Sequence, residues 1–341
     1  MTQSHMAREV AEIPQTASRF LENTRDVVSH AAKALRERDP MVFATVARGS
    51  SDHAATYLKY AIELHSGIPV ASIGPSIASI YKRPLRMDRG ACIGISQSGR
   101  SPDIVDMIGA AGQGGALSVA ITNHADSPMA EAAGHCLPLE AGVEQSVAAT
   151  KTFVNSVVAG LALLAEWRQD DELRAAVAAL PDAFAQAISM DWSPLSDRLA
   201  RASSAYVLGR GPGNAIANES ALKLKETSGM HAEAYSAAEV LHGPAAIVQA
   251  NFPVLVLGVE DAALTQVVAT ATRLAEQGAD VFLTGADVPG TTRLPSVDGL
   301  HPLIAPLVQI ASFYACVEGL ARRRGFDPDT PPHLRKVTET V

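Results

Sequence analysis

Only three cysteines, Cys92, Cys136 and Cys316, occur in 341 residues, and no two share a C-x-x-C spacing. That scarcity excludes a disulfide framework and a thiolate metal site, and predicts reduced thiols in a cytoplasmic protein. A basic surplus is also missing: 28 Lys and Arg face 36 Asp and Glu, for a formal net charge of -8. Without that surplus no nucleic-acid partner is expected, although backbone N–H groups can still bind a small anion. No apolar run follows a basic start, because Met1 to Phe20 is polar and amphipathic, so a signal peptide is not expected. The most apolar stretch, Phe153 to Trp167, is too short and too rich in small residues for a membrane span and reads as a buried helix. The chain holds no G-x-x-x-x-G-K-[ST], no H-E-x-x-H and no G-x-S-x-G, and its Gly209-Arg210-Gly211-Pro212-Gly213 run lacks dinucleotide-loop spacing. Neither a metal nor a cofactor is expected, and nucleophile-based hydrolysis is disfavoured.

What is present is the composition of an ordinary globular protein, 47% hydrophobic and 19% charged, long enough for two cores. Met6 to Arg38 reads as two amphipathic helices broken near Glu22-Asn23. Apolar runs of strand length follow at Met41–Val46, Val70–Ile73, Ala91–Ile95 and Leu117–Thr122, with helical patterns between them. Strands that do not alternate, separated by helices, predict a parallel sheet covered on both faces. Ala148 to Arg201 is helix-rich. The pattern then repeats, with strands at Ser204–Leu208, Val254–Val259 and Val281–Thr284 and a closing helix from Leu303 to Arg324. Ala44-Thr45-Val46-Ala47-Arg48-Gly49 and the segment around Gly209 to Asn214 occupy matching places, which indicates an internal duplication of one α/β unit.

Two stretches carry chemistry. In a doubly wound sheet, ligands bind where strands end and helices begin. Ser96-Gln97-Ser98-Gly99-Arg100-Ser101 lies at such a junction, with three hydroxyls, a glycine for close approach, and Pro102 opening a helix whose free N–H groups favour an anion. A phosphate monoester fits; a serine-rich turn with a helix cap is the other reading. Its counterpart in the second half, Leu257-Gly258-Val259-Glu260-Asp261, has no such hydroxyl set. The second stretch places Glu219, Lys223 and Glu226 at i, i+4 and i+7 on one helical face, followed by a loop delivering His231, Glu233, Glu239 and His242. Alone, this is an ion-paired surface helix; in company it is also an acid–base set.

The Ser96-Gln97-Ser98-Gly99 loop, the segment Glu144 to Lys151, the block from Lys223 to Pro244 and the tail from Asp327 to Thr338 together resemble SIS (sugar isomerase) proteins. The likeness is to the isomerase half of glucosamine-6-phosphate synthase and to the sugar-phosphate deaminases built from the same half. It implies an α/β fold of two tandem doubly wound, flavodoxin-like parallel-sheet domains with flanking helices. The expected divisions are an N-terminal helical segment (1–38), a first domain with the phosphate loop (39–168), a helical connection (169–201), a second domain with the catalytic helix (202–324) and an active-site tail (325–341). The resemblance implies that Ser96, Gln97, Ser98 and Ser101 hold the sugar phosphate, with Ser101 where the synthase usually has Thr. Ser50 and Glu144 are further binding candidates. It makes Glu226 the base that moves a proton between C1 and C2, with Lys223 its neighbour in the enolamine chemistry. His242 becomes the ring-opening histidine, supplied by the neighbouring subunit of a homodimer with shared active sites. Lys336, which alone reads as a solvated tail residue, becomes the Schiff-base candidate. Val147 and Ala149 would line the sugar, although the synthase typically has Ser at the second.

The chain opens Met1-Thr2 with no N-terminal cysteine nucleophile, so glutamine is not expected to supply ammonia within this polypeptide. Glu226-Thr227, Ser236 to Val240 and the tail Asp327 to Leu334 are more similar to the deaminase branch than to the synthase. The expected reaction is conversion of glucosamine 6-phosphate to fructose 6-phosphate and ammonia, with a small sugar phosphate as the partner and no membrane. The alternatives are a synthase-like isomerase or aminotransferase without a glutaminase, a deglycase or galactosamine 6-phosphate deaminase, and a sugar-phosphate sensor that does not turn over. The sensor has no need of Glu226, Lys223 and His242.

Overall fold

A computed structural model of the chain describes residues 3–336. Helices α1 (His5–Ala11), α2 (Ile13–Asn23) and α3 (Arg25–Arg38) open it. There are three helices where the apolar pattern predicts two. Pro14, at the second position of α2, has no N–H to continue α1 and its ring would clash with the carbonyl four residues back, so α1 stops at Ala11.

The first sheet follows: β1 (Val42–Val46), α4 (Ser50–Ser66), β2 (Val70–Ser72), α5 (Ser76–Ser79), β3 (Gly90–Ile95), α6 (Pro102–Gln113), β4 (Leu117–Thr122), α7 (Pro128–Ala132) and β5 (His135–Pro138). All its pairings are parallel, in the order β2-β1-β3-β4-β5. Every residue of β3 is buried, as expected of a strand covered on both faces. On one face Val46, Cys92 and Ala120 pack against Ile104, Met107 and Ile108. Helices α8 (Lys151–Arg168), α9 (Asp171–Ala178), α10 (Leu180–Ala187) and α11 (Ser193–Leu199) come next, and α8 packs against α3 and α4. Among the described residues no helix is long and apolar enough to cross a membrane.

The second sheet contains β6 (Ser204–Gly209), α12 (Pro212–Ser228), β7 (His231–Ser236), two 3₁₀ turns (Glu239–His242 and Pro244–Ile247), β8 (Pro253–Val256), α13 (Leu264–Glu276), β9 (Asp280–Leu283), β10 (Thr292–Arg293) and α14 (Ala305–Arg323). Its order is β10-β9-β8-β6-β7, all parallel. Read from its other edge, this is the order of the first sheet. The β1–α4 and β6–α12 turns also share a backbone conformation: Gly49 has φ 56, ψ -133 and Gly211 has φ 55, ψ -132. Such positive φ is cheap only for glycine. The shared topology and turn geometry carry the duplication.

One expectation is corrected. Residues 231–236 read as a loop but form strand β7, paired with β6 from Ser204↔His231 to Gly209↔Ser236. As an edge strand it is only partly buried, so it lacks the apolar run by which strands are found. By contacts the chain divides into two compact units. Among the described residues, one holds the second sheet with residues 3–14, Gln145–Thr150 and Asp182–Leu334; the other holds the first sheet with Gln15–Glu144, Lys151–Pro181, Arg335 and Lys336.

Candidate active site

In the unit of the first sheet, β1 lies between β2 and β3, so the loops leaving β1 and β3 diverge at a switch point of the kind that binds ligands. The loop after β3 is held by its own serines. Gly99 N–H donates to Ser96 Oγ at 3.2 Å and Arg100 N–H to Ser98 Oγ at 3.3 Å. Each of these hydroxyl oxygens is thus an acceptor, which leaves its proton for a ligand oxygen. Gly99 has φ 62, and a Cβ there would lie 2.2 Å from Ser127 Oγ, so the position requires glycine. The Gln97 carbonyl accepts from Asn123 N–H at 3.1 Å, which braces the loop on the end of β4. Ser101 is the cap residue of α6 and its hydroxyl makes no capping bond. Buried Asp103, in the first turn, accepts from Arg48 Nη2 at 2.9 Å.

A cavity of about 550 Å³ opens here, and Gln97, Ser98, Glu144 and Lys336 all line it. Ser96, Ser101 and Ser50 are not among its lining residues: Ser96 is buried, Ser101 caps α6, and Ser50 begins α4. Arg100, Asn123, His124 and Arg19 also line it; none was singled out from the sequence. Arg100 sits inside the recognised loop, so a search for cations beside the serines finds it, whereas His124 and Asn123 belong to the next strand end and carry no local signal. Glu144 is anchored by Thr152, whose N–H and Oγ1 donate to its two oxygens at 3.1 and 2.7 Å. Lys336 Nζ donates to Glu144 Oε2 at 2.7 Å.

In the unit of the second sheet, α12 packs against β6, β7 and α14. Lys223, on this helix, has no exposed surface, which excludes the surface-helix reading. Its ammonium donates to Glu226 Oε2 at 2.5 Å and lies 3.2 Å from Glu219 Oε1. Glu219 is also fully buried and accepts from Tyr314 Oη at 2.9 Å, while the Glu226 side chain is 20% exposed. Burial alone pulls the lysine pKa down; the two carboxylates, Glu219 and then Glu226, together outweigh it and hold the ammonium above its ordinary range. The arrangement is a carboxylate reachable from solvent, backed by a fixed cation that a second buried carboxylate and a tyrosine orient. Tyr314, on α14, was not anticipated; nothing in a long apolar helix marks it.

His242 ends the 3₁₀ turn Glu239–His242, exposed, and among the described residues it makes no hydrogen bond to Lys223 or Glu226. Along residues 145–150, Ser146, Ala148 and Thr150 are buried while Val147 and Ala149 are part-exposed. The strand end after β8, which matches the phosphate loop by topology, is filled by its own chain. The Gly258 carbonyl accepts from Gln309 Nε2 at 2.7 Å and from Thr284 Oγ1 at 3.1 Å, and the cavity left is about 20 Å³. Among the described residues, no group of three or more His, Cys, Asp or Glu could hold a metal ion.

Two doubly wound parallel sheets of one topology, one with a hydroxyl-rich loop at its switch point, define a duplicated α/β protein. The SIS domain profile matches residues 29–166 and 198–286, and the chain belongs to the SIS domain family. A solved structure from Silicibacter pomeroyi DSS-3, provisionally named a phosphosugar isomerase, is 51% identical, with a TM-score of 0.93 over 96% of this chain and 100% of that one. The isomerizing glutamine–fructose-6-phosphate aminotransferase of Halobacterium salinarum is 34% identical over 85% of this chain and 50% of its own length. The chain spans about half the length of the curated relatives it matches. The glucosamine-6-phosphate deaminase of Thermotoga maritima shares the fold, with a TM-score of 0.78 at 21% identity over 99% of this chain and 100% of that one.

Proposed function

We propose that the protein is a phosphosugar aldose–ketose isomerase that releases ammonia, converting glucosamine 6-phosphate and water to fructose 6-phosphate and ammonia. The observation that carries this reading is the buried Glu219–Lys223–Glu226 cluster. A binding module gains nothing from a fully buried ammonium placed against a part-exposed carboxylate, whereas proton transfer next to a carbonyl needs both. In the open-chain sugar, Glu226 takes the proton from C2 and returns it to C1, while the oxygen at C1 gains a proton and the nitrogen at C2 gives one up, which turns the aldehyde into an alcohol and the amine into a C2 imine. Lys223 stabilises the negative charge that develops on the oxygen at C1. Water then adds to the imine carbon and ammonia leaves, giving the ketose. The phosphate is assigned to Gln97, Ser98 and Arg100, with Ser96 and Ser101 shaping the loop and helix end.

Lys336 is assigned to the carbonyl carbon, with Glu144 keeping it in place between turnovers. The exposed His242 suits ring opening in a neighbouring copy of a homodimer. Mixed chains carrying Glu226→Gln and His242→Ala should then recover activity that neither shows alone.

The deciding experiment is ammonia release and ketose formation from a panel of amino-sugar phosphates. Glucosamine 6-phosphate should be turned over, and Glu226→Gln should bind it without turnover. Tight phosphosugar binding with no product from any panel member would replace the enzyme with a sensor.

A further inference from the structure

Helix α1 and residues 145–150 are tied together by the Glu9 carboxylate and by Asp329, whose carboxylate holds α1 and whose carbonyl holds the segment. Asp329 accepts from the first N–H groups of α1, His5 N–H at 2.7 Å on Oδ2 and Met6 N–H at 2.8 Å on Oδ1. These are donors a helix cannot satisfy internally, and the helix dipole favours a negative charge there. The same residue's carbonyl accepts from Val147 N–H at 3.1 Å. One turn into α1, Glu9 is only 4% exposed. Its carboxylate accepts from the N–H groups of Gln145 and Ser146 and from Ser146 Oγ. Three successive amides, of residues 145, 146 and 147, are therefore held by Glu9 and Asp329.

That restraint decides which way the segment faces. With Ser146 pinned inward, Val147 and Ala149 are the residues left part-exposed. Asp329 also stands seven residues before Lys336 in the chain, so the bonds that fix α1 also fix the start of the tail.

We propose that Glu9 and Asp329 are positioning residues of the reaction, an inference that rests on the function proposed above. Glu9 sets the register of the segment carrying Val147 and Ala149, and Asp329 couples that segment to the chain that leads on to Lys336. Neither touches substrate. Their loss acts through the amides their carboxylates hold, Gln145 and Ser146 for Glu9 and His5 and Met6 for Asp329, each a charge-assisted hydrogen bond left weakened or unmade.

The test uses the full chain with Glu9→Gln and Asp329→Asn, read by amide hydrogen exchange and by kinetics on glucosamine 6-phosphate. Glu9→Gln should speed exchange at residues 145 and 146, and Asp329→Asn at His5 and Met6, by tenfold or more while β6 and β8 keep wild-type protection. Glu9→Gln should chiefly raise KM, because it loosens ground-state contacts, and Asp329→Asn should lower kcat as well. Should Glu9→Gln unfold the chain, Ser146→Ala removes one donor and leaves the backbone bonds, and faster exchange at 145–147 with a raised KM supports the same conclusion. Unchanged exchange in the folded variants overturns the proposal, as does faster exchange with kcat and KM untouched. If the wild-type chain turns over no phosphosugar, the proposed function fails on its own; exchange then decides the tether alone, and the positioning role falls with the function.

Discussion

Lys336 Nζ meets Glu144 Oε2 at 2.7 Å, and the two residues are 192 positions apart in the chain. The lysine is 25% exposed and its partner is buried and doubly anchored by Thr152, so the carboxylate is the fixed member. A lysine that attacks a carbonyl must leave such a partner and lose its proton. Borohydride added with fructose 6-phosphate should therefore trap a sugar adduct on Lys336, detected by peptide mass. The adduct should be lost in Lys336→Arg and reduced in Glu144→Gln, where the tail has lost its anchor; an unmodified Lys336 removes the Schiff-base role.

The buried charges on α12 make a stability prediction separate from activity. Removing one member of a buried pair leaves an uncompensated charge, which costs about 3–5 kcal/mol. Glu219→Ala should show a loss approaching that order in urea denaturation, because Lys223 keeps only one of its two carboxylates and Tyr314 Oη loses a buried acceptor. Glu226→Gln, at a part-exposed side chain, should cost less stability while costing more activity. Equal stability losses would mean that the two carboxylates are not distinguished as the burial indicates.

Binding of phosphate should depend on the loop after β3. Ser98→Ala removes a hydroxyl that lines the cavity, and the lost charge-assisted bond should weaken phosphosugar binding by about 1–3 kcal/mol. Calorimetric titration measures it. Arg100→Ala should weaken binding in a way that fades with added salt, since Arg100 is exposed and its field is screened.

A pH effect follows from Asp170, which caps α9. The N–H of Leu173 donates to it and His65 Nε2 lies 2.6 Å away; these, in that order, hold its pKa below the usual 3.8. A depressed folded-state value contributes stability above the unfolded value and loses it as pH falls through the folded one. Asp170→Ala should thus cost about 1 kcal/mol near neutrality, the ordinary worth of an N-cap. The difference from wild type should shrink below pH 3.8, followed as urea midpoints across an acid series.

Sheet and loop were legible in the sequence for different reasons. β3 and β4 are apolar runs with helices between them, so both faces had to be covered, and Ser96 to Pro102 sits where such a run ends. β7 was invisible because an edge strand of His, Ala, Glu, Ala, Tyr and Ser buries little and offers no run to detect. The i, i+4, i+7 spacing of Glu219, Lys223 and Glu226 located the cluster. That spacing could not say that the face is buried, because burial is set by β6, β7 and α14 packing over α12. Glu9 and Tyr314 left no trace, and Asp329 stood in the recognised tail with no sign of its contacts, since each acts on residues distant in sequence and spacing carries no record of that.

The closed strand end after β8 carries an expectation about stoichiometry. A fold written twice offers two places for a phosphate, but Gln309 and Thr284 have taken the Gly258 carbonyl of the second, and the remaining space is that of about one water. Under the proposed function the described residues leave one strand-end seat per chain, and titration should saturate at one sugar phosphate per subunit.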